Sequence, residues 1–142
     1  MALELIDKKW KVGTTVAPAQ KPRTKNVSGG DLVALGLEIT RAKKRFQLPE
    51  EAQVVCCYEA GREGFWIHRW LESEGVINAV VDPASIDVNR RWRRAKTDRL
   101  DVFKLLSNLM RWWVGEKKVW SVVVVPSVRD EDASHFHRER QT

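Results

Sequence analysis

"QVVCCYEA", Gln53 to Ala60, is the stretch on which the fold turns. It is a run of apolar residues, β-branched at its start, that ends in a polar cluster. It is too short for a typical helix and does not alternate as a half-exposed strand does. Such a run predicts an interior strand covered on both faces. Its last charged residue, Glu59, then falls at the carboxyl end of the strand. In open α/β sheets this is where ligands gather. A helix-capping or salt-bridged glutamate is the plain alternative at that position.

Elements alternate on either side of this strand. Downstream, "REGFWIHRWLESEG" predicts a helix with Trp66, Ile67, Trp70 and Leu71 inward, ended by Gly75. "VINAVV" is a second short buried strand, stopped by Asp82 and Pro83. Thr97 to about Trp113 reads as a helix with Phe103, Leu106, Met110 and Trp113 on its apolar face, and "KVWSVVVVP" as a last strand. Upstream, "ALELI" (Ala2–Ile6), "KWKVGTTV" (Lys9–Val16) and "RTKNVS" predict strands close enough for hairpins. Ser28 to Asp31 starts a helix with Leu32, Leu35, Ile39, Ala42 and Phe46 as its stripe. Hairpins followed by strand–helix alternation imply a mixed α/β sheet flanked by helices. The chain divides into a domain over residues 1–126 and a polar tail over 127–142.

Composition sets the class. Hydrophobic residues make up 43% and charged residues 31% of 142, a balance expected of a globular protein rather than a disordered one. No apolar run approaches the roughly 20 residues of a membrane span, and the amino terminus lacks the apolar core of a signal peptide. Cys56 and Cys57 are adjacent and read as buried thiols of a reduced, intracellular protein. The net charge of +6 is unevenly laid out. Residues 1–48 carry 10 basic and 4 acidic side chains, residues 49–87 carry 2 and 8, and residues 88–142 carry 13 and 7. Basic outer segments suit an anionic partner.

The basic excess peaks in "RRWRRAKTDRLD", Arg90 to Asp101. Arg90, Arg91, Arg93, Arg94, Lys96 and Arg99 surround Asp98 and Asp101. Trp92 among them favours nucleic-acid contact over a merely solvated loop: arginine grips phosphate and an exposed indole stacks on a base. Asp98 and Asp101, three apart at a helix start, share a face. Capping explains that spacing alone, with Asp98 as N-cap. Together with Glu59, however, the two aspartates suggest a set of oxygen ligands for magnesium or manganese. Glu4 interrupts the apolar "ALELI" and is the candidate fourth acid, with Asp7 in the following turn as runner-up. His68 is expected on a helix surface. His135 and His137 lack the partners of a zinc site.

"CYEAGREGFWIHRWLESEG", "VVDPASIDVNRR", "RRAKTDRLDVFKLL" and "VWSVVVVPSVRDED" together resemble the N-terminal domain of DEDD-type insertion-sequence transposases, the IS-one-ten family. The resemblance covers most of the chain and is weakest before Pro49. It implies a RuvC-like, RNase H-like fold and a four-acid metal site for Mg2+ or Mn2+. Glu59, Asp98 and Asp101 match its last three acids, and Glu4 stands where the family usually has an aspartate. It further implies DNA as substrate, a structured guide RNA, a homo-oligomer, and a prokaryotic, cytoplasmic and nucleoid-associated protein. Family members run on to a C-terminal domain with a serine implicated in strand exchange. Neither Ser127 nor Ser134 matches that serine's motif, and the chain is expected to be a fragment or a truncated reading frame. The function expected is metal-dependent DNA cleavage or strand transfer. A nucleic-acid-binding fragment without catalysis and a junction-resolving nuclease are the alternatives.

Overall fold

A computed structural model describes residues 1–17, 20–86 and 100–127. The first three strands are β1 (Ala2–Ile6), β2 (Lys9–Thr14) and β3 (Arg23–Ser28). They form an antiparallel meander, with Glu4 opposite Lys11 and Lys11 opposite Asn26. Asp7, in the tight turn between β1 and β2, takes a positive φ of 32°. Helix α1 (Leu32–Arg45) follows, capped by the Asp31 carboxylate, which accepts the Ala34 N–H at 2.9 Å. Lys43, Lys44 and Arg45 in its last turn suit the negative end of the helix dipole.

The chain then alternates: β4 (Val55–Glu59), α2 (Trp66–Ser73), β5 (Ile77–Val81) and α3 (Val102–Trp113). Strand β4 pairs in parallel with both β1 and β5. The sheet order is β3-β2-β1-β4-β5. Strand β1 is therefore the middle strand, and β4 is the interior strand beside it.

Two cores follow from strand alternation. Leu3, Trp10, Val12, Val27, Cys56, Tyr58 and Val80 pack with Leu35 of α1 and with Ile67 and Leu71 of α2 on one face. Ala2, Cys57, Ala79 and Val81 pack with Val102, Leu105, Leu106 and Leu109 of α3 on the other. Cys56, Cys57 and Tyr58 are each fully buried, as a strand covered on both faces requires. Gly13 lets α3 lie close to β2. A Cβ there would sit 2.5 Å from Val102 Cγ2 and 2.9 Å from Leu106 Cδ1.

Several expectations change. Strand β2 ends at Thr14, not Val16. Helix α3 starts at Val102, and its inward residues are Val102, Leu105, Leu106 and Leu109, while Phe103 and Trp113 are half exposed. The aromatic stripe is offset from the true face by about one residue, because the branched aliphatics beside it fill the space over the small Ala2 and Gly13. "KVWSVVVVP" forms a 3-10 turn over Lys117–Val119 and a single antiparallel bridge from Val122 to Val81, not a regular strand. The Val123 N–H still donates to Val80 at 2.7 Å, so the segment borders β5 without a full ladder. No helix among the described residues is long and apolar enough to cross a membrane.

Candidate functional site

Parallel pairing of β1 with β4 sets Ala2 beside Cys57 and Leu3 beside Tyr58. One residue further along that register, Glu4 lies beside Glu59. Side chains alternate, so Glu4 shares the face of Ala2 and Glu59 that of Cys57. Both therefore point to the side of the sheet that α3 covers. There they meet the entry to the helix. The Leu100 N–H donates to Glu59 Oε1 at 2.9 Å, and the Val102 N–H donates to Glu4 Oε1 at 3.0 Å. These bonds span 41 and 98 positions of chain.

Asp101 stands between those two donors. It is the N-cap of α3, and its Oδ1 accepts the Lys104 N–H at 2.9 Å. Three carboxylates thus each accept a backbone N–H at or just before the first turn of α3, where negative charge is favoured. Among the described residues, no three His, Cys, Asp or Glu side chains group closely enough to hold a metal ion. Asp101 serves its own helix, while Glu4 and Glu59 bond to described residues only through Oε1. The donor set itself, carboxylate oxygens only, is the chemistry that magnesium and manganese take. Asp98 lies outside the described residues, as do Arg90, Arg91, Trp92, Arg93, Arg94, Lys96 and Arg99. Asp7 is exposed in its turn, and no described residue links it to 100–102.

Beneath Glu59 the Cys57 thiol is held well above its ordinary pKa, first by burial and then by the neighbouring Cys56, with Glu59 adding to the effect. Burial likewise pushes Cys56 up to about 12. These thiols are inert filling. On the opposite face, Tyr58 donates to the Gly64 carbonyl at 3.2 Å and accepts the His68 N–H at 3.2 Å, which ties β4 to α2. His68 is not a surface residue: it is partly buried, with Nδ1 2.8 Å from Asn78 Nδ2.

The chain is similar to transposases. It is 36% identical, over 99% of its length, to a putative transposase, y4rJ, of Sinorhizobium fredii (strain NBRC 101917 / NGR234). Over 66% of its length it is 32% identical to the transposase for insertion sequence element IS1533 of Leptospira borgpetersenii. It spans 36% and 27% of the length of these two relatives. No protein-family model and no solved structure matches it.

Of the acids singled out from the sequence, Glu4, Glu59 and Asp101 lie at the start of α3. Sequence reasoning missed the backbone N–H groups of Leu100 and Val102, because a backbone donor leaves no residue-type signal. Lys11 stands opposite Glu4, a placement that depends on hairpin register and not on residue type.

Proposed function

We propose that this chain is the catalytic domain of a DNA transposase with a RuvC-like, RNase H-like fold, built for metal-dependent phosphodiester cleavage or strand transfer. One observation carries the reading. Glu4 and Glu59, from adjacent parallel strands, meet at the start of α3, where Asp101 also stands. The strand order and directions support it: three antiparallel strands at the front, then two parallel ones on the other side of β1. Similarity to a putative transposase over nearly the whole chain, and to a second transposase over two thirds of it, supports DNA as the substrate.

In this reading Glu4, Glu59, Asp98 and Asp101 hold magnesium or manganese. When bound, the metal would polarise the scissile phosphate and stabilise charge on the attacking and leaving oxygens. The chain's own part is to fix the carboxylates. Glu4 and Glu59 are set by strand register, and each is oriented by a backbone N–H. Arg90, Arg91, Trp92, Arg93, Arg94, Lys96 and Arg99 would grip the nucleic-acid backbone nearby. A structured guide RNA and a homo-oligomer complete the proposal and rest on the family resemblance.

A second reading has its own observation. Every one of the three described carboxylates already accepts a backbone N–H, as caps do. A nucleic-acid-binding domain without catalysis would look the same. Magnesium-dependent nicking of linear and branched DNA separates the readings. Cleavage lost in Glu59→Gln supports the transposase site, preference for branched DNA points to a junction-resolving nuclease, and binding without cleavage supports the second reading.

A further inference from the structure

The α3-facing side of the sheet continues past the carboxylates. Glu4 pairs with Lys11, and Lys11 with Asn26. Cross-strand partners share a face, so Glu4, Lys11 and Asn26 form one row across three strands, and Glu59 continues it one residue past the last paired position of β1 and β4. Strand spacing puts Lys11 about 5 Å and Asn26 about 10 Å from Glu4 along that row. Lys9 and Ser28, the next pair on the same face, lie at the same end of the sheet.

Helix α3 packs over β1, β2 and β4, and on this face Thr24, Asn26 and Ser28 of β3 are exposed. Lys9 is exposed and Lys11 half-buried. Neither side chain makes a hydrogen bond or ion pair to a described residue. Lys11 faces a carboxylate across the strand pair, yet Glu4 takes the Val102 N–H. Two ammonium groups without a partner among the described residues, flanked by an amide and hydroxyls, form a polar strip that ends at the two glutamates.

We propose that Lys9, Lys11 and Asn26 form a track for the DNA backbone and hold phosphates next to the one at Glu4 and Glu59. The partner is inferred from charge and spacing. Each DNA strand presents a phosphate about every 3.4 Å of rise, so a strand whose scissile phosphate sits at Glu4 and Glu59 carries its neighbours within the span of this row. Lysine serves as a point charge for phosphate, while amide and hydroxyl groups position the backbone without reading sequence. The inference rests on the transposase reading of the acids and assigns a separate set of residues to it.

The test is the salt dependence of binding to a 30-base-pair duplex, measured in EDTA. Lys9→Gln with Lys11→Gln should lower the log–log salt slope by about 1.8, at about 0.9 per lost phosphate contact. Lys25→Gln is the control: Lys25 pairs with the core residue Val12, so it lies on the opposite face of the same sheet. Its slope should match the parent's. Equal slopes in all three proteins would overturn the track. A fall of about half that size in the control, one charge removed against two, would also overturn it, because a diffuse field scales with the charge removed. A loss of affinity for a structured RNA but not for the duplex would do so too, and would assign the strip to RNA. The acids are tested apart, by magnesium-dependent cleavage in Glu59→Gln. Loss of that cleavage with unchanged slopes would refute the track alone, and the reverse would refute the catalytic reading.

Discussion

Glu4 accepts the backbone N–H of Val102 at 3.0 Å, joining the middle strand to the first turn of α3 across 98 positions of chain. The bond fixes where α3 begins, and it turns the carboxylate toward the helix rather than toward Lys11 beside it. Glutamine keeps an oxygen that can accept this N–H, whereas alanine leaves the donor unpaired. We expect Glu4→Ala to cost about 1–3 kcal/mol and Glu4→Gln distinctly less. Urea unfolding of both variants measures the difference, and equal losses would mean that the bond does not hold the helix.

Gly13 controls the same helix from below. Its missing Cβ makes room for Val102 and Leu106. Gly13→Ala should cost about 1–3 kcal/mol by overpacking and displace the start of α3 from the glutamates. Combining it with Val102→Ala removes the 2.5 Å conflict. The pair should then be less than additive in a double-mutant cycle. Strict additivity would show that the clash is relieved elsewhere.

How much of this was legible in the sequence varies with the physics of each element. Strands β1, β4 and β5 follow from apolar runs bounded by turns, β3 from its closeness to the preceding strand, and Glu59 at the end of β4 follows directly. The face of α3 did not. Phe103 and Trp113 carry more apolar surface than Val102 or Leu105, yet it is Val102 and Leu106 that lie against Gly13 and pack with Ala2. The valine run after Trp120 has strong β propensity but gains only an isolated bridge to β5, because propensity does not supply a partner. Asp101 rather than Asp98 caps the described helix, since a three-residue spacing of acids fits either register until the chain is folded.

Thiol chemistry should report the integrity of β4. Cys56, raised to about 12, and Cys57, raised well above its ordinary value, are fully buried and free. At pH 8 a disulfide reagent should leave both untouched in the native protein and modify both in denaturant. Rapid reaction of the native protein would mean that β4 opens readily.

Acid should weaken the fold partly through His68. Burial lowers its pKa below 6.5, against the raising effect of Glu72 and with a small lowering from Arg69. A histidine with a depressed folded pKa leaves the unfolded chain holding more protons. Stability is therefore retained above the unfolded value and falls as pH drops from about 6.5 toward the folded pKa. The urea midpoint of His68→Gln should fall less than that of the parent between pH 7.5 and pH 5. Identical pH profiles would assign the acid sensitivity to carboxylates alone.

Magnesium should stabilise the domain, and the effect should depend on Glu4 and Glu59. An ion bound only by the folded state shifts stability by mass action, by about 2.7 kcal/mol at a hundredfold excess over its dissociation constant. At this chain length that is several degrees of melting temperature. Glu4→Gln with Glu59→Gln keeps acceptors for the Val102 and Leu100 N–H groups while removing two neighbouring negative charges. The double variant should lose the magnesium response. Without metal it should melt close to the parent, because relief of carboxylate repulsion offsets the weaker interaction of a neutral amide with the helix dipole. The capping reading gives the opposite pattern: no magnesium response in the parent, and a lower melting temperature in the double variant under both conditions. Thermal melts of the two proteins across millimolar magnesium decide between them. A parent that melts at one temperature throughout would remove the metal-dependent reading of these acids.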